Sequence, residues 1–518
     1  MGIFIFISQW LPLLPLLALA IPLLLLLKHS KTQQLNPPPG PPKLPIIGNM
    51  HQLGHSRHRS LSNLSKKYGP AMVLQLGRVP FLVVSSAETA KEVLKTQDLN
   101  FCTRPAVLTL KRLSYDFLDV AFSPHSEYWR EMRKIFALEL MGAKRVHSFG
   151  PIRGEEVANM VDSISKSCSS PMRPVNLTEE LFSLTARVIC RTAFGKSYHG
   201  KEFDRGKFLE GVYEAMAIMG SFSASDFFPS SWAASAVDVI TGLRGRLERC
   251  FLSFDKFYQR VIDEHLERAE SKGEHGQEED IIDVLVGIMK RDESSPIHIT
   301  ADHIKALLMN IFMAGMSTSA VAMVWTMTEL ARKPELMKKA QDEIRGKVGN
   351  KGKVEESDLE QLLYLKMVVK ESLRLHPPGA LLPPRECVNH CKVNGYDISP
   401  GTRVVVNVWA IGTNPEHWEN PEEFWPERFE NSSIDYRGQH FELLPFGAGR
   451  RICPGITMGM LNVELAIANL LYCFEWKLPS GMNVEDIDME EGTGIALRKK
   501  SPLFLVPSKF NCSSMGVS

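Results

Sequence analysis

The sequence has almost no charge of one sign to spare: 60 Lys and Arg stand against 59 Asp and Glu, a formal net charge of +1. Nucleic-acid binders carry a basic excess that displaces counterions, so that class is excluded. Cysteine is sparse as well. The 9 cysteines are odd in number and irregularly spaced, which excludes the disulfide framework of a small secreted protein and points to a reducing compartment. No internal repeat occurs, and no low-complexity linker interrupts the chain from residue 45 to about 507. Length alone suggests about three domains on a ~150-residue prior, yet no boundary presents itself, and we read one large domain. What is present is 518 residues, 44% of them hydrophobic, enough apolar area for a large core.

The longest apolar run is at the start. Residues 3–27 are almost wholly apolar, and at ~1.5 Å per residue they are long enough to cross a ~30 Å hydrocarbon layer. No basic stretch precedes the run and no small-residue cleavage site ends it, which argues against a cleaved signal peptide. Lys28 and Lys31 follow it, so the positive-inside bias puts the rest in the cytosol. The expected organisation is a single-pass anchor in membrane lipid over residues 1–28 and a stiff Pro-rich linker over 29–45. A domain over 46–507 and a tail over 508–518 follow. Apolar spacings of three and four predict helices over 127–140, 301–332, 335–345 and 356–375. Short β-branched runs predict strands over 81–85 and 403–409. The fold class is mainly α with small β-sheets.

The most informative segment runs from Phe446 to Gly455, FGAGRRICPG. A thiolate ligand must approach a metal without its backbone colliding with the cofactor, and glycines at 447, 449 and 455 permit close-lying backbone around Cys453. Backbone N–H groups in such a loop also donate to sulfur and tune its electron donation. A lone buried cysteine is otherwise most often structural. The nearby Cys387 and Cys391, with His390, resemble half a zinc site without its other half, and we read them as accidental.

Phe446, Gly449, Arg451, Cys453 and Gly455 together match the haem-binding signature of the cytochrome P450 superfamily, and the Pro-rich start resembles its plant microsomal branch. Upstream, Glu371-Ser-Leu-Arg374 and Pro426-Glu-Arg-Phe429 lie in the family's order. The resemblance implies a mainly helical cytochrome P450 fold holding haem b, with the Cys453 thiolate as axial iron ligand and oxygen activation as the chemistry. It implies electrons from NADPH-cytochrome P450 reductase, with cytochrome b5 as a further donor, and a place in the endoplasmic reticulum membrane. It also implies a buried network of Glu371, Arg374 and Arg428, although an i, i+3 pair is by itself an ordinary surface ion pair. Trp129, Arg133, Arg385 and Arg451 match propionate-binding positions; Trp129 alone reads as a core aromatic. Arg130 and Lys134 either meet an acidic electron donor or simply face water.

Ala314, Gly315, Ser317 and Thr318 lie midway along the predicted helix 301–332, where Gly weakens a helix and Thr318 can bond back to Ala314 and distort it. By resemblance this is the oxygen-binding groove, with Thr318 helping proton delivery. The position before the threonine is usually Asp or Glu in the family, and here it is Ser317. A hydroxyl relays a proton but cannot hold a carboxylate's charge, so ordered water or a substrate group is expected to complete the relay. Substrate contacts expected by resemblance lie in 104–124, 216–228, 304–316, 379–384 and 493–496. Phe312, Met313, Ala380, Leu381, Leu382 and Ile495 are the named candidates, against a plain reading as core packing. Their apolar character suggests a small lipophilic substrate of terpenoid, alkaloid or phenolic type. Hydroxylation, oxidative cyclisation and desaturation remain open. So do two rivals: a non-catalytic haem-binding sensor or carrier, and a reductase-independent peroxide-rearranging enzyme of the same fold.

Overall fold

A computed structural model describes residues 35–168, 173–195, 205–271, 279–291, 297–492 and 494–510. The expected anchor lies outside the described residues. The helices that build the core and the site are α1 (Glu127–Ile135), α2 (Gly150–Ser167), α3 (Leu177–Phe194), α4 (Arg205–Gly220), α5 (Trp232–Ile240), α6 (Leu243–Ser271), α7 (Ala301–Arg332), α8 (Pro334–Val348), α9 (Leu363–Leu375) and α10 (Ile456–Cys473). The strands are β1 (Ala71–Leu76), β2 (Val79–Val84), β3 (Val175–Asn176), β4 (Arg385–Glu386), β5 (Cys391–Val393), β6 (Tyr396–Ile398), β7 (Arg403–Val406), β8 (Phe474–Lys477) and β9 (Phe504–Lys509). They form sheets of order β1-β2-β7-β4, β3-β9-β8 and β5-β6. The class is therefore mainly α with small sheets, as the periodicity implied.

Helix α7 is the axis of the molecule. It starts at a Thr300 cap, whose backbone N–H reaches His303 Nδ1 at 3.2 Å, and stops at Lys333 ahead of Pro334, a residue that disfavours helix before it. It is apolar on every side, the mark of a helix with protein all around it. Its first half packs into an aromatic core with α3, α4 and α6, and its second half into a core with α8, α9 and α10. Trp325, fully buried, donates Nε1–H to the Leu497 carbonyl at 2.7 Å and stacks on His376.

Four expectations need correction. The predicted helix 356–375 is a 3₁₀ turn followed by α9, because the Glu343 carboxylate accepts the N–H groups of Tyr364 and Leu365 at 2.7 and 3.0 Å and starts a new helix there. The predicted strand 403–409 ends at Val406, since Asn407 Oδ1 accepts the Ala410 N–H at 3.1 Å and caps a short helix. The described part of the Pro-rich linker is docked: the Pro39 carbonyl accepts the Val73 N–H at 2.8 Å, covering the open edge of β1. The domain also runs past 507, because β9 pairs Lys509 with Phe474 and the Phe510 N–H reaches the Cys473 carbonyl at 2.9 Å.

Candidate functional site

The cysteine loop is shaped by two left-handed glycines, Gly447 at φ 69° and Gly449 at φ 71°. A Cβ on Gly449 would lie 2.0 Å from the Leu94 carbonyl oxygen, so only glycine fits. The loop turns back on itself where the Cys453 N–H meets the Phe446 carbonyl at 3.0 Å, and the Phe446 ring packs 5.5 Å from Tyr436. Burial pushes the Cys453 thiol up, while the Gly455 N–H and the Arg133 charge pull the other way. Those two groups favour a thiolate, the form that ligates a metal.

In α7, from residue 303 to 331, every residue is buried except Ala314, Gly315 and Thr318. Ala314 and Thr318 are four apart and share a face, so an otherwise sealed helix opens at one spot. Helix α10, which starts just after Cys453, approaches here: a Cβ on Gly459 would be 3.8 Å from Ser319 Oγ. Thr318 Oγ1 donates to the Ala314 carbonyl at 2.7 Å. Thr326 and Thr328 make the same backward bond at 2.7 Å, so exposure, not back-bonding, sets Thr318 apart.

Two expectations at this spot change. The helix is continuous through 314–319, and Gly315 serves packing instead of distortion: a Cβ there would be 2.8 Å from Ile189 Cδ1 of α3. Ser317 does not share the open face. It is buried and its Oγ has no hydrogen-bond partner, so the groove role expected for it is not what its position offers.

Four guanidiniums gather on one side of the loop. Burial, then the neighbouring charges of Arg385 and Arg451, presses Arg104 well below its ordinary value; burial foremost also lowers Arg133, Arg385 and Arg451. Arg385 reaches Asp98 Oδ1 at 2.9 Å and the Ala448 carbonyl at 3.0 Å, and Arg133 bonds the Ile452 carbonyl. Arg450 also pairs with Asp98, Nη1 to Oδ2 at 3.0 Å, and the carboxylates beside this cluster among the described residues are Asp98 and Asp119; the excess of cations suits a dianionic ligand, and guanidinium forks match carboxylates. Together with the thiol, this donor set fits haem and its two propionates. Trp129 Nε1 donates to the Val120 carbonyl at 2.9 Å, and Arg451 donates to Cys102, Val120 and Ser123 carbonyls while lying 3.9 Å over the Trp129 ring. For Trp129, Arg385 and Arg451 to hold carboxylates, some of these bonds would have to be exchanged or shared.

Arg104 was visible in the sequence only as the edge of a segment, and Asp119 and Asn310 were missed. Asn310 Nδ2 donates to Asp119 Oδ2 at 2.8 Å, and its Oδ1 accepts the Val120 and Ala121 N–H groups at 3.1 Å. This pins the 119–122 loop to α7. Asn310 sits four residues before Ala314, and that spacing was the available signal. Burial raises Asp119 to about 6, against hydrogen bonds from Asn310, Phe122 and Ser123.

Glu371, Arg374 and Arg428 meet. Arg374 donates to both Glu371 oxygens at 2.7 Å, and Arg428 Nε and the Trp425 N–H donate to Oε1 at 2.9 Å. Arg374 also bonds the Gly412, Pro421 and Glu423 carbonyls. Arg130 and Lys134 lie beside Glu127 and Glu131 on the exposed face of α1.

The candidate substrate segments converge. The Leu108 N–H meets Asp226 Oδ1 at 2.8 Å, a Cβ on Gly220 would touch Ile495 Cγ1 at 3.7 Å, and the Leu497 N–H meets the Pro378 carbonyl at 2.8 Å. Leu382 packs against Gly447, 3.4 Å from where a Cβ would sit, and Leu381 is half-buried beside it. Ala380 and Met313 are buried. Phe312 is corrected to a core residue: it is fully buried, with its ring 4.9 Å from those of Phe194 and Phe208. Thr493 lies outside the described residues.

A family model described as Cytochrome P450 matches residues 38–506. "Cytochrome P450 71B34" of Arabidopsis thaliana is 50% identical over 91% of this chain and 93% of its own length. "Cytochrome P450 71B35" of the same plant is 49% identical over 96% and 98%. A solved zebra fish cytochrome P450, titled as a structure with progesterone, superposes with a TM-score of 0.74 at 26% identity, covering 87% of this chain and 99% of that one. The chain belongs to the cytochrome P450 family and is a haem-thiolate monooxygenase.

Proposed function

We propose that this monooxygenase oxidises a small lipophilic specialised metabolite, of terpenoid, alkaloid or phenolic type, with electrons from NADPH-cytochrome P450 reductase. The observation that carries the reading is the opening midway along α7, where Ala314 and Thr318 are exposed while every other residue from 303 to 331 except Gly315 is buried. Bound haem supplies oxygen activation; the chain's own residues position and protect it. Cys453 would hold the iron from the loop, Arg133 and Arg385 would take the propionates, and Thr318 holds a proton at Oγ1. Leu381, Leu382 and Ile495 offer apolar contact and no charge, which favours an apolar substrate. The zebra fish relative's title names progesterone, a ligand of the same apolar kind.

A membrane location fits exposed apolar side chains on two separate segments, helix α5 and the chain ahead of β1. Trp232 is 85% exposed, Ile240 84% and Ile46 80%. The β1–β2 turn joins them: the Arg78 N–H bonds the Phe227 carbonyl at 2.8 Å and the Gly77 N–H bonds the Ile47 carbonyl at 3.3 Å. With residues 1–28 as a single-pass anchor, this surface would rest on the cytosolic face of the endoplasmic reticulum.

The test is a difference-spectrum titration of membranes holding the protein against terpenoids, alkaloids and phenolics, followed by mass analysis of products with reductase and NADPH. A spectral shift with an oxygenated, cyclised or desaturated product is expected. Product formed only from a hydroperoxide, with no need for NADPH, would replace this reading with peroxide rearrangement.

A further inference from the structure

The cysteines at 387 and 391 look accidental in sequence, but the fold presses them together. Their sulfurs are 3.8 Å apart, in van der Waals contact. Cys387 is buried and its backbone is pinned on both sides: its N–H meets the Thr402 carbonyl at 2.9 Å, and its carbonyl accepts the Gly401 N–H at 2.8 Å. Cys391 opens the β5–β6 hairpin, paired with Ile398, and is half-buried. Of the three residues between them, Asn389 turns its carbonyl inward to accept the Cys387 thiol at 2.9 Å, a bond that closure must break, while the other contacts point away from the sulfurs. The Val388 N–H meets the Asn100 carbonyl at 3.0 Å, Asn389 Nδ2 meets Asn100 Oδ1 at 3.3 Å, and His390 Nε2 is 3.2 Å from Asp397 Oδ1. The histidine is therefore committed to a carboxylate on the hairpin, not to a metal shared with the sulfurs.

We propose that Cys387 and Cys391 are an oxidative modification site, a thiol pair that closes to an intramolecular disulfide when a peroxide reaches it. The half-exposed Cys391 sulfur attacks one peroxide oxygen, the O–O bond breaks, and a sulfenic acid forms with release of water. The Cys387 sulfur then attacks the Cys391 sulfur, the S–S bond forms, the S–O bond breaks, and a second water leaves. Two thiols lose two electrons and two protons, and one hydrogen peroxide becomes two waters. A disulfide needs sulfurs about 2.05 Å apart, so closure requires side-chain rotation and a small approach of the hairpin toward its fixed partner.

Burial pushes Cys387 up to about 12 and also raises Cys391. The thiolate is the nucleophile, so closure is slow at neutral pH and quickens as pH rises. Cys387 stands two residues after Arg385, whose guanidinium bonds the Ala448 carbonyl at the start of the cysteine loop. The disulfide would thus staple the hairpin directly behind the arginine side of the site.

The sequence makes the measurement direct, because Arg385 and Lys392 bracket both cysteines in one tryptic peptide, ECVNHCK. The full-length holoenzyme in membranes is treated with graded hydrogen peroxide, denatured, alkylated, digested and mass-analysed. The expected result is a rise of unalkylated peptide about two mass units below the dithiol, reversed by dithiothreitol, more rapid at pH 9 than at pH 7. In Cys391→Ser the peptide should stay alkylated at Cys387. A wild-type peptide that remains doubly alkylated at doses that oxidise the half-buried Cys168, or that gains oxygen irreversibly at Cys391, overturns the proposal.

Discussion

Both oxygens of the Glu371 carboxylate receive the fork of Arg374 at 2.7 Å, and neither side chain is exposed. Removing one partner from such a buried pair leaves an uncompensated charge, a loss of ~3–5 kcal/mol. Glu371→Gln should therefore lower the melting temperature sharply and reduce the haem content of purified protein, with the remaining holoenzyme turning over normally. A variant that melts alongside the parent would show the network to be dispensable.

Gly449 and Gly455 belong to one motif but face different constraints. Gly449→Ala places a methyl 2.0 Å from the Leu94 oxygen at a φ of 71°, whereas the same methyl on Gly455 meets only Cys453 Sγ at 3.9 Å. The first combines backbone strain with a backbone clash, at a loss of ~3 kcal/mol or more; the second meets ordinary contact. The ferrous carbonyl spectrum separates them: Gly449→Ala should lose the thiolate-type band and Gly455→Ala should keep it.

Asp119 gives a pH dependence of unusual sign. Burial raises it to about 6, so the folded state binds its proton more tightly than the unfolded chain, whose Asp titrates near ~3.9. Stability from this group is full below ~4 and is lost as pH rises through about 6, by roughly 3 kcal/mol as an order of magnitude. Asp119→Asn cannot titrate. The difference in unfolding midpoint between wild type and Asp119→Asn should thus favour wild type more at pH 4.5 than at pH 7; equal differences would contradict the shift.

Long periodic elements and the spaced motifs were legible in the sequence. Helix α7 runs over the residues its pattern marked, because a 32-residue element decides its own conformation through burial on all sides. Cys453 and the Glu371 network were legible because each motif sits on a local turn or helix with fixed spacing. What failed depended on distant partners. Nothing near residue 362 announces that Glu343 will restart the helix, and nothing in residues 304–316 says that Phe312 turns toward Phe194 and Phe208. The guanidinium cluster was largely legible: Arg133, Arg385 and Arg451 carry motifs, while Arg104 joins only through folding. The contact between Cys387 and Cys391 was not legible, because their spacing in sequence says nothing of the turn ahead of the β5–β6 hairpin that brings the two sulfurs together.

The exposed apolar surface predicts membrane affinity beyond the anchor. A chain lacking residues 1–34 should still bind lipid vesicles. Trp232→Ser with Ile240→Ser should weaken that binding by about 1.5–3 kcal/mol per side chain if each is buried in lipid. Vesicle co-sedimentation measures it, and binding unaffected by the double change would remove α5 from the membrane contact.

Ser317 and Thr318 are neighbours with opposite surroundings, and that difference separates two accounts of proton supply. Thr318 is exposed at the opening of α7; Ser317 is buried with no partner for its Oγ. Successive helical residues point about 100° apart, so a carboxylate at 317 would enter packed protein instead of the groove. Ser317→Ala deletes an unbonded hydroxyl and should leave stability unchanged or raised by ~1 kcal/mol. It should also leave the ratio of product formed to NADPH consumed unchanged. Thr318→Ala removes the hydroxyl that faces the opening and should lower that ratio, with hydrogen peroxide rising in compensation. If Ser317→Ala uncouples turnover as strongly as Thr318→Ala, the relay runs through the buried hydroxyl, and water or substrate at the groove is not what replaces the missing acid.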